Sequence, residues 1–267
     1  MDQSASLPSG RNFLPILDVD CLSIRFGGVA ALSEISFAVA PGQTCGLIGP
    51  NGAGKTTLFN CISGIYGPHA GEIRISGTAT RGIPPHRMAA LGVGRTFQNL
   101  ALFPKLSVLE NVLIGSHIHM SAGFAETAVG SGRARKEEQT ARDYAHSLLE
   151  TVGMADKAAE KVGSLPFGHQ KRIELARAMA TRPKLLLLDE PAAGLNPSEL
   201  DDFASLIRTI RAQAGFAILL VEHHLGFVMA LCEKIVVLNF GRKIAEGSPA
   251  EVRAHPDVVR AYVGDKP

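Results

Sequence analysis

The sequence predicts an α/β fold built on a mainly parallel β-sheet, and three observations carry this reading. Short, almost unbroken apolar runs recur at Thr44–Ile48, 185–188, Ala217–Val221 and 235–238. Longer helical stretches with charged residues separate them. The first run leads straight into a glycine-rich turn and then a helical segment, Lys55–Ile62. A strand that is apolar on both faces must be covered on both faces, and strand–helix alternation favours parallel pairing.

The flanking segments follow other patterns. Residues 14–26 and 35–39 alternate apolar and polar positions, as half-buried strands do. Residues from about 100 to 175 read as a helical subdomain inserted into the α/β core. Within it, 108–114 is apolar-rich and 135–152 is charged and periodic. The intervening 116–132 is rich in Gly, Ala and Ser, and reads as a loop or loosely held helix. Residues 1–13 read as a polar, flexible tail. The expected organisation is one domain over 14–265, with a short helical C-terminal extension over 250–265.

Composition narrows the functional classes. The chain has 267 residues, 46% hydrophobic and 19% charged, enough for one large globular domain or two small ones. A net charge of +2 is too mild to argue for nucleic acid, so no nucleic-acid partner is expected. The longest apolar runs are strand-length, far short of the roughly 20 residues a membrane helix needs. The opening MDQSASLPSGRNF lacks the basic patch and apolar core of a signal peptide, which predicts a cytoplasmic chain. Four scattered cysteines form no CxxC pair and read as reduced core residues, not as a disulfide or zinc framework.

The chemistry begins at Gly49-Pro50-Asn51-Gly52-Ala53-Gly54-Lys55-Thr56, followed by Thr57. This fits GxxxxGK[ST] at every fixed position, between a buried strand and a helix. Glycines let the backbone wrap closely around phosphates and point N–H groups inward. The following helix adds the positive end of its dipole. Lys55 supplies a point charge for the β- and γ-phosphates, and the Thr56 hydroxyl can ligate Mg²⁺. A second apolar strand ends in Asp189-Glu190. Asp189 is placed to orient Mg²⁺ or its water ligands. Glu190, one residue on, is the candidate general base or water-positioning group for hydrolysis.

These motifs and their surroundings resemble the ATP-binding cassette (ABC) family over residues 14–263. The resemblance implies a P-loop NTPase fold of the ABC type, with a mainly parallel sheet core, an antiparallel β subdomain and an inserted helical subdomain. It implies ATP and Mg²⁺ as bound groups and ATP hydrolysis as the reaction. Phe26, in RFGGVAAL, lies where the family's A-loop aromatic stacks on adenine. Gln98, in RTFQN, matches the Q-loop glutamine that touches Mg²⁺ and the attacking water. His223, in LLVEHH, matches the switch histidine at the γ-phosphate; His117, His119 and His224 read as surface or packing residues.

Two motifs depart from the family pattern. The signature, usually LSGGQ, here reads Leu165-Pro166-Phe167-Gly168-His169-Gln170. Pro166 replaces a serine whose hydroxyl and backbone N–H face a γ-phosphate, and proline supplies neither donor. Gly168 is retained, and the following residues match the family's helix, which could still aim its N-terminus at phosphate. Asn196 stands where the D-loop has aspartate, removing a charge that bears on one contact between subunits.

The runs RTFQNLALFPKLSVLENVLIG, PAAGLNP, VEHHL and FGRKIAEGSPAEVRAHPDVVRAYVG resemble the ATPases of branched-chain (hydrophobic) amino-acid importers. Urea-type importer and lipopolysaccharide-export ATPases share these features. The resemblance implies a second ATPase subunit, transmembrane permease subunits and, indirectly, a periplasmic solute-binding protein, with this chain peripheral on the cytoplasmic face of the inner membrane. A soluble, non-transport ABC ATPase is the alternative of another class. Such proteins usually carry two cassettes or a long coiled-coil insert, and neither is present here. A plain P-loop kinase would leave Gln98, the signature and His223 unexplained.

Overall fold

The computed structural model describes residues 14–120 and 132–263. The expectations for residues 1–13, for 121–131 of the Gly/Ala/Ser-rich segment and for the last two residues of the extension lie outside these.

Two sheets form among the described residues. The smaller is antiparallel, in the order β2 (Val29–Val39), β1 (Leu17–Phe26), β4 (Ala70–Ile75), β5 (Thr78–Ala79). The alternation read in 14–26 and 35–39 gives these half-buried strands. The β1–β2 ribbon is longer than that pattern suggested, because pairing recruits Val29 and Ala30 opposite Phe26 and Arg25.

The larger sheet has the order β10 (Arg242–Gly247), β9 (Lys234–Asn239), β3 (Thr44–Ile48), β8 (Ala217–Val221), β7 (Leu185–Asp189), β6 (Val93–Arg95). Every pairing is parallel except β10 on β9. The continuous apolar strands are explained by two cores, one on each face. Leu186, Leu188, Ile218, Leu220, Ile235 and Val237 face one core. Their alternating neighbours Leu185, Leu187, Leu219, Val221, Val236 and Leu238 face the other. Each fully buried side chain of this size contributes about 1.5–3 kcal/mol.

One core is shared with α1 (Lys55–Ile62) and the antiparallel sheet. The other is shared with α3 (Val108–Ser116), α4 (Gly132–Thr151), α5 (Phe167–Met179), α6 (Pro197–Ala214) and α7 (Leu225–Leu231); the short α2 (Pro85–Met88) precedes β6. The helices of the inserted region pack on one another, and α5 carries the chain back toward β7. The C-terminal extension is two short helices, α8 (Pro249–Ala254) and α9 (Pro256–Val263), anchored by buried Val252 and Val258. A proline at position 256 separates them, since it cannot continue the preceding helix.

Of the four cysteines expected in the core, Cys45, Cys61 and Cys232 are buried, whereas Cys21 is exposed. Cys21 sits at an irregularity of the β1 ladder with φ +46°, where its side chain turns out of the alternation. Burial pushes the Cys45 thiol up to about 12 and the Cys61 thiol to about 11, so neither is a ready thiolate.

Candidate active site

The carboxyl ends of β3, β6, β7 and β8 converge, and each carries part of the site. This is where an open α/β sheet offers a crevice to ligands. The loop after β3 holds the phosphate motif. At Gly49 φ is +152°, and a Cβ there would meet the Leu238 backbone oxygen at 2.1 Å. At Gly54, the N-cap of α1, φ is +100° and a Cβ would meet the Ala31 oxygen at 2.8 Å. Only glycine fits either place. Lys55 is buried at 6% exposure. Its Nζ donates to the Gly49 and Pro50 carbonyls at 2.7 and 2.9 Å, so the amine lies folded over its own loop. Burial lowers its pKa, and the nearby Glu190 opposes that shift.

Residues 51–57 line a cavity of about 820 Å³ together with Gln98, Glu190 and His223. Gln98 and His223 are each hydrogen-bonded to Glu190. One Glu190 carboxylate oxygen lies 3.0 Å from His223 Nε2, and the other accepts from Gln98 Nε2 at 3.1 Å. Glu190 itself has φ +48°, and its N–H donates to Val221 O at 2.9 Å. The strand therefore ends on a bent residue whose side chain is turned into the cavity.

Asp189 is buried beside the phosphate helix, and its Oδ2 accepts from Arg95 NH2 at 3.0 Å. Burial raises its pKa and the Arg95 guanidinium pulls it back. Gly168 and Phe26 are not in this assembly. Gly168 lines a separate cavity with His169, Arg172, Leu195 and Glu199. Pro166 caps α5 without any side-chain hydrogen bond. Phe26, half exposed at the end of β1, stands edge-on to Tyr66 with ring centroids 5.2 Å apart. The aromatic ring that lines the phosphate cavity is Phe240, at 85% exposure in the β9–β10 turn. Asn196 is the N-cap of α6: its side-chain oxygen accepts from Glu199 N at 3.0 Å, a role asparagine fills as well as aspartate.

Sequence reasoning missed four contributors. Glu222 is buried at 3% exposure. Its carboxylate accepts from the Ala192, His223 and His224 amides at 2.7, 3.0 and 3.3 Å, tying the loop after β7 to the loop after β8. Burial raises its pKa, and these amides lower it in part. An acid closing an apolar strand was the available signal, the same one that marked Asp189. Glu174, on α5, accepts from the Phe97 amide at 3.3 Å and so holds the chain just before Gln98. Arg95 is the third. The fourth is Tyr262 on α9, whose phenol faces the Gly49 backbone; burial pushes it up more than that backbone lowers it. Nothing local in the sequence marks these last contacts, because their partners are far apart along the chain.

Known proteins fit this geometry. The family model described as "ABC transporter" matches residues 32–193. A second, described as "Branched-chain amino acid ATP-binding cassette transporter", matches residues 242–266. The high-affinity branched-chain amino acid transport ATP-binding protein BraF of Pseudomonas aeruginosa is 44% identical over 251 residues, covering 94% of this chain and 98% of that protein. LivG of Escherichia coli, of the same description, is 40% identical with the same coverage. Among solved structures, a nucleotide-free ATP-binding cassette from an ABC transporter aligns with a TM-score of 0.81 at 30% identity, over 94% of this chain and all 100% of that one. An ATP-binding cassette in its ADP conformation gives 0.80 at 31% identity, over 94% and 99%. With its phosphate loop, acid pair and hydrogen-bonded glutamine and histidine in place, the chain belongs to the ABC transporter family as one of its ATP-hydrolysing, nucleotide-binding cassettes.

Proposed function

We propose that this chain hydrolyses ATP with Mg²⁺ to energise uptake of branched-chain or other hydrophobic amino acids. The observation that carries the transport reading is likeness over nearly the full chain to BraF and LivG, C-terminal extension included. Within the site, Lys55 would leave its own loop carbonyls for the β- and γ-phosphates, joined by the amides of residues 51–57. Thr56, Asp189 and Gln98 offer hard oxygen donors of the kind Mg²⁺ takes. Among the described residues no group of three or more His, Cys, Asp or Glu side chains could hold a metal alone. Mg²⁺ bound by one or two carboxylates usually keeps substrate phosphates among its ligands. When bound, it would neutralise charge on the β- and γ-oxygens. Glu190 would position the attacking water, with Gln98 and His223 holding its carboxylate. Phe26 and Gly168 would act from the edges, on the adenine and on a partner's ATP respectively.

The separation of Gly168 from the phosphate loop supports a pair of cassettes, each completing the other's site. No helix among the described residues is long and apolar enough to cross a membrane. By likeness to the transporter subunits BraF and LivG, the chain would sit on the cytoplasmic face through permease subunits, with the inserted helices passing motion to them. The domain reading is one cassette over 14–265.

Two experiments test this. Lys55→Ala should weaken ATP binding by at least about 100-fold, the loss of the main phosphate cation; unchanged affinity would remove the phosphate-loop assignment. Gentle extraction of a tagged chain from its host membranes should recover permeases, a second ATPase and an amino-acid-binding protein. Lipopolysaccharide-export components would overturn the substrate class. Ribosomal or DNA-bound partners without membrane proteins would overturn transport and leave the ATPase chemistry standing.

A further inference from the structure

Arg95 closes β6 and is 12% exposed at its side chain. Its guanidinium lies over both the Phe59 and the Phe97 ring, 5.1 Å from each centroid. One terminal nitrogen donates to Asn60 Oδ1 at 3.0 Å and Ser63 Oγ at 2.8 Å. The other donates to Asp189 Oδ2 at 3.0 Å. Its Nε is buried with no hydrogen-bond partner, so the side chain leaves one donor unmet while both ends of the fork are engaged. These partners lie on three segments: α1, which grows out of the phosphate loop; the strand end that carries the acid pair; and the segment running to Gln98. Next along the chain, the Thr96 hydroxyl accepts from the Asp189 amide at 3.2 Å. Three residues on from Arg95, Gln98 reaches Glu190. Both carboxylates of the acid pair are thus held from the 95–98 segment.

We infer that Arg95 is a positioning residue for the cation: by taking Asp189 Oδ2 it fixes the carboxylate's orientation, and so sets the Mg²⁺ concentration at which nucleotide binds. This rests on the reading of Asp189 as a cation-facing carboxylate. Contacts with the two rings and hydrogen bonds to Asn60 and Ser63 hold the guanidinium where it is, so it acts as a fixed clamp. The clamp needs a flat, forked cation. A lysine ammonium could carry the charge but could not span Asn60, Ser63 and Asp189 with a planar fork.

The test follows binding of a fluorescent ATP analogue to the full chain, in chelator and across a Mg²⁺ titration, for the parent, Arg95→Met, Arg95→Lys and Asp189→Asn. Arg95→Met should raise the Mg²⁺ half-point at least tenfold, with chelator-phase affinity within twofold of the parent. Arg95→Lys, the milder change for folding, should still raise it at least threefold. Equal loss of affinity with and without Mg²⁺ would make Arg95 merely structural and overturn the inference. Full recovery in Arg95→Lys would overturn it too, since charge alone would then suffice. If Asp189→Asn leaves the Mg²⁺ response of the parent unchanged, the underlying reading of Asp189 fails, and the inference with it.

Discussion

Glu190 stands in a left-handed backbone conformation, φ +48°, that costs a residue with a Cβ about 1–2 kcal/mol. Strain of this kind persists where the surroundings fix it, here an amide bond to Val221 O and side-chain bonds to Gln98 and His223. Glu190→Gln keeps the shape and removes the charge and the proton acceptor. We expect nucleotide binding to persist and turnover to fall by about 10²–10⁴-fold, the usual range for a lost acid–base group; phosphate release against analogue binding separates the two. Normal turnover would mean that another group positions the water. Gly49 is a different kind of residue-scale constraint. In Gly49→Ala the new methyl would collide with the Leu238 oxygen in a backbone region alanine avoids. Unfolding free energy should drop by about 2–4 kcal/mol in denaturant titration, with nucleotide binding weakened because the loop's start is displaced.

Among elements, the sheet edge shows how charges fix a strand that apolar burial only partly holds. β10 exposes much of its length, and Glu246 on it pairs with Lys234 of β9 and with Lys243. Burial raises the Glu246 pKa, but the lysine hydrogen bonds outweigh it and leave the group below its ordinary 4.5. A carboxylate depressed in the folded state contributes stability above its unfolded pKa and loses it as pH falls through the folded value. Glu246→Gln should therefore cost about 1 kcal/mol at pH 7. The gap to the parent should close as pH drops below 4.5, as followed by thermal melting. A gap that stayed constant with pH would mean the pairs contribute nothing through charge.

At the scale of the whole molecule, the chain holds one phosphate loop and one signature, lining different cavities. In the proposed pair of cassettes, Pro166 in the signature would leave the ATP that this chain completes on a partner short of two donors. Where the partner cassette carries the usual serine, the two sites of the pair should turn over unequally. Glu190→Gln in this chain, compared with the matching change in the partner, should reduce steady-state hydrolysis by different factors. Equal losses would argue against an asymmetric pair.

The sequence by itself determined the parallel core, the phosphate loop and the acid pair, because each is written in a contiguous run. Five apolar residues bury both faces of a strand, and a loop of glycines with one lysine between that strand and a helix is a phosphate-binding pattern readable from one short run. The same locality made 44–48 and 55–62 legible to the residue. Tertiary structure alone decided what those runs meet. Arg95 reaches Asp189 across 94 positions, Glu222 ties Ala192 to His223, and Tyr262 comes back to Gly49. It also decided that Phe240 lines the cavity while Phe26 packs against Tyr66. Such contacts depend on which strand ends the sheet order brings together. No local period encodes that order, which follows from burying two cores against one sheet.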